Sequence, residues 1–555
     1  MAELKTHIST CTICEATCGI IVQTDGAQVT AIRGDADDPF SQGYICPKAA
    51  AMADLHHDPD RLKKPLRRTE NGWEELEWDE AFDWVAKRLG EIRKSYGRDA
   101  LAIYNGNPTI HNLDLLTWGQ IFVRSLGCRR KFSATSADQL PAMLASLLMY
   151  GNQLRLPVPD VDRTGYFLIL GANPLVSNGS LMTAPNMRAR LRKIQERGGK
   201  VVVVDPRRSQ TAAIADQHFF IRPGTDALLL AAMVHTMLAE DLVAMGRLGA
   251  FSQGLDLVAD AVQEFSPAMV SQRVGIAEAD ILSMTRDFAA APSAVCYGRM
   301  GTATQEFGGL CAWFISLINI LSGNLDRVGG MMFPKPAVDI PGLASRISAQ
   351  GSFNRYRSRV RGLPEFGGEL PVSTLAEEIE TEGPGQIRAL LTSAGNPVLS
   401  TPNGARLDTA LEGLEFMVSI DPYLNETTRH ADIILPPASP LQRDHYDLAL
   451  NMLSVRNVAK FSPAVFAREG HERNDWEIFV ELYIRLAPKQ AMRKLGKFAA
   501  PLALVSERFL RATLRHLTPR RLLDIGLRAG PYGNKGRPGG LSLKSLRASP
   551  HGIDL

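Results

Sequence analysis

The chain has 555 residues, enough for about three or four domains of ordinary size, which excludes a single small binding module. Hydrophobic residues make up 45% and charged residues 22% of the chain, and this balance excludes a disordered or fibrous protein. The formal net charge is only +3, so the chain as a whole is neither strongly basic nor strongly acidic.

The cysteine content and the N-terminal sequence indicate the cellular compartment of the protein. Seven cysteines are too few for a disulfide scaffold, and four of them lie within the first 46 residues, as in a metal site of a reducing compartment. The longest uncharged apolar stretch, residues 310–321, is too short to span a membrane. The N-terminus has neither a signal-peptide pattern nor a twin-arginine pattern. We therefore expect a cytoplasmic protein without a membrane span.

The first predicted element is a compact unit that carries these four cysteines. Residues 20–23 and 28–32 alternate in hydrophobicity and predict two strands around a turn. The spacing Cys-x2-Cys-x3-Cys-x27-Cys bunches three thiolates and brings in a fourth later, as a 4Fe-4S cluster needs, at Cys11, Cys14, Cys18 and Cys46. Structural zinc usually takes two separated Cys-x2-Cys pairs. Zinc and buried structural cysteines remain the alternatives at this point.

Alternating strand-like and helical segments follow from about residue 102 to 330. This alternation predicts parallel α/β layers, with strands at 167–171 and 201–205 and helices at 187–196 and 226–238. Pro- and Gly-rich stretches between 328 and 371 indicate a boundary and long loops, and the pattern resumes near Ile387.

An internal repeat links two parts of the α/β region. Residues 168–174, Leu-Ile-Leu-Gly-Ala-Asn-Pro, recur as Leu-Leu-Thr-Ser-Ala-Gly-Asn-Pro at 390–397. An Asp-Pro pair follows each copy, and an Ala-Asp pair lies beyond it, which gives the matched residues Asp205, Asp421, Asp216 and Asp432. Ligands bind beyond the carboxyl ends of parallel strands, so two related nucleotide sites are predicted. The alternative is that Asn-Pro and Asp-Pro are simply good turn formers.

The last predicted segment is basic. Residues 489–555 contain 14 Lys or Arg against three acidic residues, a net charge of +11, which leaves the rest of the chain at −8. Aromatic residues are not interleaved with these charges, as base stacking on a nucleic acid would require. We expect a solvated or anion-facing surface and no nucleic-acid partner.

Several motifs together resemble the molybdopterin oxidoreductase family: Cys46-Pro47-Lys48 and the stretches at 170–174, 204–207, 222–226, 323–324, 395–397 and 431–436. Within it the chain is similar to the dimethyl sulfoxide reductase superfamily, in the 4Fe-4S branch with formate dehydrogenases and nitrate reductases. The resemblance covers most of the chain. It implies an α/β multidomain fold, with a small N-terminal iron–sulfur domain and two related α/β dinucleotide-binding domains in a pseudo-twofold relation.

The resemblance also implies domain boundaries. The expected units are an iron–sulfur domain at 1–60, a first dinucleotide half at 139–331, a discontinuous second half at 61–138 and 332–470, and a helical basic segment at 471–555. Family members normally continue into a fourth, mostly β domain. We expect this C-terminal dinucleotide-binding domain to be absent, through a fragment, a truncation or completion by another polypeptide.

The implied cofactors are a 4Fe-4S cluster and molybdenum or tungsten in bis(molybdopterin guanine dinucleotide). The four cysteines above would hold the cluster, and Lys48 would lie between cluster and pterin as an electron path, although its simpler interpretation is a surface lysine. The residues that match the dinucleotide motifs are Gly171, Asn173, Asp205, Arg207, Gly224, Asp226, Met300 and Gly301 for the first half, and Ser393, Gly395, Asn396 and Asp421 for the second. Small turn residues let backbone N–H groups approach a pyrophosphate, and an Asp accepts hydrogen bonds from guanine or ribose.

The metal ligand is expected in the loop at 129–141. This loop has no Cys-His pair of the formate dehydrogenase type, and the nearest match is an aromatic-Ser pair that indicates Ser133. Ser136, Asp138 and Cys128 are the alternative ligands. The alternative without a metal is that the loop is a polar helix cap.

The sequence therefore predicts a molybdopterin-dependent oxidoreductase. It would move electrons, with or without an oxygen atom, between a small substrate at the metal and an external carrier protein or subunit, and Ser133 and Lys48 would be its catalytic residues. The alternatives are an electron-conducting subunit like the large subunit of complex I and a non-redox molybdenum or tungsten hydratase. Three lone histidines, His111, His430 and His445, favour structural roles over a proton relay.

Overall fold

The computed structural model describes residues 4–486, 507–537 and 539–555. Its N-terminal unit is an antiparallel sheet followed by two short helices: β1 (Leu4–Thr10), β2 (Gly19–Asp25), β3 (Gln28–Gly34), α1 (Pro47–Ala50) and α2 (Met52–His57). The two strands predicted around the turn at residue 26 are confirmed as β2 and β3. The four predicted ligand cysteines, at 11–18 and at 46, lie in loops beside this sheet.

The next segment contributes strands to a large sheet. It contains β4 (Leu66–Thr69), β5 (Gly72–Glu75), α3 (Trp78–Tyr96), β6 (Leu101–Asn105), α4 (Gln120–Leu126), β7 (Arg130–Ser133), α5 (Thr135–Asp138) and α6 (Leu140–Tyr150). Helix α3 forms because its apolar residues recur every three or four positions. They bury one face of the helix against the sheet, at Ala81, Phe82, Val85, Leu89 and Ile92.

A four-stranded parallel sheet follows, with order β11-β10-β9-β12. The elements are β8 (Val158–Pro159), β9 (Tyr166–Leu170), α7 (Pro174–Ser177), α8 (Met187–Glu196), β10 (Lys200–Val204), β11 (Gln217–Phe219), α9 (Asp226–Ala239), α10 (Leu255–Val262), α11 (Pro267–Val274), α12 (Glu278–Ala290), β12 (Ala294–Gly298), α13 (Met300–Ala303) and α14 (Gly308–Leu321). Strand β9 is wholly buried, and its side chains alternate between two separate hydrophobic cores. Both sheet faces are therefore covered, as parallel sheets require.

The chain then returns to the large sheet. The elements are β13 (Met331–Met332), α15 (Ile340–Arg346), β14 (Phe353–Arg357), β15 (Pro364–Phe366), α16 (Leu375–Glu380), β16 (Ala389–Ser393), α17 (Pro397–Ser400), α18 (Gly404–Leu411), β17 (Phe416–Ile420), β18 (Ile433–Ile434), β19 (Val458–Ala459) and α19 (Asp475–Leu486). The large sheet has seven strands in the order β5-β4-β18-β17-β16-β6-β7.

The four-stranded sheet and the parallel part of the large sheet share one plan. The order β11-β10-β9-β12 corresponds to β18-β17-β16-β6, although β6 precedes the whole first sheet in the chain. The side chains of Asp216 and Asp432 occupy matched positions, because each accepts a backbone N–H at 2.7 Å, from Val201 and Met417 respectively. The predicted fold class, α/β with two related halves, is confirmed. Asp216 and Asp432 thus stabilise corresponding positions of the two sheets.

The predicted basic segment is described in part, because residues 487–506 lie outside the described residues. The remaining elements are α20 (Glu507–Leu514), α21 (Pro519–Ala529), α22 (Leu543–Ala548) and β20 (Ile553–Asp554). Several of its arginines are used inside the molecule: Arg511 and Arg515 pair with Glu481, and Arg520 pairs with Asp444. In the part of the chain that the structure describes, no helix has the length and apolarity to cross a membrane.

Candidate functional site

The four predicted cluster cysteines come together beside the N-terminal sheet. The backbone N–H of Cys11 donates to the carbonyl of Cys18 at 2.8 Å, which closes the first cysteine loop. Burial, with smaller contributions from the neighbouring thiols of Cys14 and Cys46, raises the pKa of the Cys11 thiol to about 12. Burial and the other three thiols also raise the pKa of Cys18. Burial also raises the pKa of Cys14. Three buried or half-buried thiols with raised pKa values, with Cys46 beside them, fit a bound cationic metal group, because its positive charge stabilises the thiolates.

The sulfur spacing distinguishes between the two metal alternatives. Zinc–sulfur bonds of about 2.3 Å in a tetrahedron place ligand sulfurs about 3.8 Å apart. Among the described residues, no three of these cysteines have sulfur atoms that all lie within 4.8 Å of one another. A four-iron cluster separates its thiolates more widely, because each thiolate binds a different iron. The spacing therefore favours the cluster over a single zinc ion.

A central cavity of about 590 Å³ extends from the cysteine loop to the end of β7. Its wall combines residues from three regions: the cysteine loop, the first α/β half and the large sheet. The charged and polar side chains that define it include Glu15, His111, Ser133, Asp138, Arg299 and Glu369, together with Cys14. The predicted metal-ligand loop and the predicted cluster loop thus face one space.

Two of the four candidate metal ligands line this central cavity, Ser133 and Asp138. The Ser136 hydroxyl donates to the Ser133 carbonyl at 3.2 Å and accepts the Val372 N–H at 2.9 Å. These two backbone groups hold the hydroxyl in place. Cys128 is buried in the apolar core on the other side of the sheet. Geometry therefore leaves Ser133 and Asp138 as the candidates.

Glu369 is a residue of the central cavity that sequence analysis missed. The Ser133 hydroxyl donates to its carboxylate at 2.6 Å, and burial raises the pKa of Glu369. It follows Gly367 and Gly368 in the loop after β15, far from Ser133 in the chain. No local pattern marks it, because the packing of this loop against β7 brings Glu369 to the cavity.

Arg299 joins the loops that surround the central cavity. Its Nε donates to the Ser180 hydroxyl at 2.8 Å, and its guanidinium lies 3.7 Å from Asp138. Burial raises the pKa of Glu15 to about 7, and the charge of Arg299 opposes this rise. Lys48 is exposed, and its positive charge acts on both Cys14 and Glu15. Lys48 thus lies on the cysteine side of the cavity.

The first dinucleotide half presents its predicted residues at the carboxyl edge of the four-stranded sheet. Gly171 has φ +53° and lies so close to Gly301 that a Cβ there would come within 2.8 Å of the Gly301 Cα. Asp205 accepts the Arg207 N–H at 2.8 Å. Gly224, Met300 and the side chain of Arg207 are exposed, and Asp226 is buried beside Gln305 at 2.9 Å.

The second dinucleotide half opens on a cavity of about 490 Å³, which we call the second-half cavity. Gly395, Asn396 and Asp421 line it, whereas Ser393 lies behind it with a buried hydroxyl that has no partner. Burial raises the pKa of Asp421 to about 7 although the Tyr423 N–H donates to it at 3.0 Å. Other buried polar atoms on this wall also lack partners, namely Thr12 Oγ1, Arg61 Nε, His111 Nδ1 and Arg443 Nε. Such orphaned atoms fit a polar ligand that supplies their hydrogen bonds.

The matched residues Asn173 and Asn396 hold the turns of the two halves. The side-chain oxygen of Asn173 accepts the Thr211 hydroxyl at 2.8 Å, and that of Asn396 accepts the Thr427 hydroxyl at 2.7 Å. Their amide nitrogens donate to Gln210 and Glu426. Both side chains are thus hydrogen-bonded within the protein, and they fix the conformation of the two turns.

Family models show the family to which the chain belongs. The model described as Molybdopterin oxidoreductase matches residues 61–485, and that described as Molybdopterin oxidoreductase Fe4S4 domain matches residues 4–58. The chain belongs to the molybdopterin oxidoreductase family. The resemblance expected from the sequence is confirmed, and so are the expected cofactors, a 4Fe-4S cluster with molybdenum or tungsten on molybdopterin.

Two reductase subunits and a formate dehydrogenase are among the proteins similar to this chain. It is 27% identical to the molybdopterin-containing subunit of thiosulfate reductase from Salmonella typhimurium, over 85% of this chain and 63% of that one. It is 25% identical to formate dehydrogenase H from Escherichia coli, over 87% and 68%. The assimilatory nitrate reductase catalytic subunit of Bacillus subtilis is 24% identical, over 86% and 68%. This chain therefore spans about two thirds of the length of these relatives.

Among solved structures, the fold is similar to that of acetylene hydratase from Pelobacter acetylenicus. The TM-score is 0.73 at 19% identity, over 88% of this chain and 70% of that one. At this identity the similarity shows the fold alone.

Proposed function

We propose that this chain is the catalytic part of a molybdenum- or tungsten-dependent oxidoreductase that exchanges electrons with an external carrier protein or subunit. Cys11, Cys14, Cys18 and Cys46 would hold the cluster, and the two α/β halves would hold the two guanine dinucleotides of the cofactor. The supporting observation is the central cavity, whose wall joins the cysteine loop to Ser133 and Asp138. When bound, the cofactor supplies electron or oxygen-atom exchange at its metal.

The side chains of the central cavity have separable tasks under this proposal. Ser133 or Asp138 would bind the metal, and Arg299 would hold the surrounding loops together through Ser180 and Asp138. Glu369 fixes the hydroxyl of Ser133 by accepting its hydrogen bond at 2.6 Å. Lys48 places a positive charge near Cys14. This charge would favour the reduced state of the cluster, because the added electron is negative.

Elemental analysis of anaerobically purified protein tests the proposal. We expect about four irons, one molybdenum or tungsten and two guanine nucleotides per chain. Iron without molybdenum, tungsten or nucleotide would instead support the electron-conducting alternative, and zinc alone would overturn the cluster. A fully loaded protein that hydrates an unsaturated substrate but accepts no electrons from reduced viologen would be a hydratase.

We expect that one of two substitutions, Ser133→Ala or Asp138→Asn, changes the first coordination sphere of the metal. The ligand position needs an oxygen that faces the central cavity, and both residues meet this condition. X-ray absorption at the metal edge identifies the variant that loses an oxygen ligand, and its turnover falls about a hundredfold or more. Ser125→Ala, whose hydroxyl donates within α4 at 2.7 Å, is the matched control. An unchanged spectrum in both variants would exclude both ligands.

Asp421→Asn is expected to lower nucleotide content and to stabilise the cofactor-free protein at high pH. Burial raises the pKa of Asp421 to about 7, whereas an exposed Asp titrates near pH 3.9. The folded state therefore keeps a proton that the unfolded state loses, so this group increasingly destabilises the fold as pH rises from about 4 to 7. Urea unfolding at pH 5 and pH 8 measures the difference. An equal gain of the variant at both pH values would contradict the assignment.

A further inference from the structure

A series of polar side chains leads inward from the molecular surface. His551 exposes 34% of its side chain, and its Nδ1 lies 2.9 Å from a carboxylate oxygen of the buried Asp35. Nζ of Lys460 lies 3.3 Å from Asp35 and 3.0 Å from Asp38, and both carboxylates are buried. A solvent-facing imidazole is thus connected through charged groups to the interior.

A water-sized space continues this series. It has a volume of about 20 Å³ and is lined by Asp38, Lys460, His551 and Asp447, together with Thr10 and Thr17. A cavity of this size holds one water molecule, and such a water needs two to four polar partners, which this wall provides. We call it the relay cavity. A water here would join the outer groups to the Asp447 carboxylate.

Asp447 and His445 form a buried pair on the inner side of the relay cavity. Nε2 of His445 lies 2.9 Å from Oδ2 of Asp447, and both side chains are at least nine-tenths buried. The other two polar atoms of the pair, Oδ1 of Asp447 and Nδ1 of His445, are buried and have no hydrogen-bond partner. Buried polar atoms are rarely left unpaired, so each of these atoms indicates an ordered water beside the pair.

His111 lies at the inner end of the series. It ends a short 3-10 helix, Asn107–His111, and lines both the central cavity and the second-half cavity. Its side chain is buried, and Nδ1 has no partner. Burial lowers the pKa of His111 to about 4, with Asp447, His445 and Arg443 as the charged and titratable groups that act on it. A neutral imidazole accepts a hydrogen bond at one nitrogen and donates at the other, as proton transfer requires.

We propose that His551, Asp38, Asp447, His445 and His111 form a proton path between solvent and the central cavity. The inference rests on the proposed function, since reductive removal of an oxygen atom as water consumes two protons with two electrons. Those electrons come from the external carrier through the cluster. In each step of the path one N–H or O–H bond breaks and one forms on the next acceptor, with waters in the relay cavity and beside the Asp447–His445 pair as intermediates. Each group returns to its starting protonation state after the proton has passed.

The test measures protons and electrons together in the full-length holoprotein. Reduced methyl viologen delivers electrons without protons, so its oxidation counts electrons while a pH indicator in weak buffer counts protons. We expect Asp447→Asn and His445→Gln to accept the same number of electrons but to take up protons about tenfold or more slowly. His430→Gln is the matched control, because His430 binds Asp408 at 2.5 Å and lines neither the central cavity nor the relay cavity.

Each outcome decides the proposal. Wild-type rates of proton uptake in Asp447→Asn and His445→Gln would overturn the path while leaving the proposed function intact. A wild-type protein that carries no molybdenum or tungsten, or accepts no electrons, would overturn both. If a buried variant fails to fold, His551→Gln alters only the outer, partly exposed group. It is expected to slow proton uptake, and an unchanged rate would overturn the path.

Discussion

Cys18→Ala is expected to lose the iron–sulfur cluster and with it electron exchange with any external carrier. Cys18 is one of two cluster cysteines that are almost fully buried, and its backbone carbonyl closes the cysteine loop through the Cys11 N–H. Removing one of four thiolates leaves an iron without its protein ligand. Because a bound metal group stabilises the fold that binds it, the N-terminal unit also loses several kcal/mol, about the order seen for structural metals.

Iron content, visible absorption and thermal unfolding measure this effect. Cys128→Ala is the matched control, because Cys128 is equally buried but lies in the apolar core of the large sheet. It removes the same sulfur atom and the same volume, so any cost of the cavity alone appears in both variants. We expect the control to keep its iron. Equal iron content in the two variants would show that the four cysteines are structural.

The cysteine site could be predicted from sequence because its information is local. Three of the four residues lie within eight positions, and their spacing alone limits the possible metal groups. The repeat was visible for a related reason, since each copy is a strand and the turn directly after it. The structure confirms both strands as β9 and β16 with matched neighbours.

The rest of the site depends on pairings between distant parts of the chain. Strand β6 pairs with β16 and completes the second half, although it precedes the entire first half in sequence. Glu369 reaches Ser133 only because its loop packs against β7, where the Leu370 N–H donates to the Lys131 carbonyl at 2.9 Å. His445 and Asp447 are close in the sequence as well as in contact. Their electrostatic effect on His111, in contrast, joins residues more than 300 positions apart. These contacts join residues that are distant in the chain and form only through tertiary packing. A local sequence pattern therefore does not predict them.

The same long-range pairing carries the second large prediction, that Gly106→Ala disrupts cofactor binding in the second half. Gly106 follows β6 and lines both the central cavity and the second-half cavity. Its N–H donates to the Ser393 carbonyl at 2.9 Å. A Cβ there would lie 2.4 Å from the Gly395 Cα and clash more severely with the Ala394 carbonyl oxygen. These atoms are backbone, so the two loops have to separate. Overpacking of this kind costs about 1–3 kcal/mol.

If the separated loops must return to their original positions to bind the dinucleotide, the same free energy weakens binding by about 5- to 150-fold. Guanine nucleotide per chain and thermal unfolding measure the two consequences. Gly90→Ala is the matched control, since Gly90 lies within α3 and a Cβ there meets nothing within 4 Å. Its replacement stabilises the helix by up to about 1 kcal/mol. Full nucleotide content in Gly106→Ala would mean that the contact between β6 and β16 does not shape the ligand site, and the dinucleotide would then have to bind away from the second-half cavity.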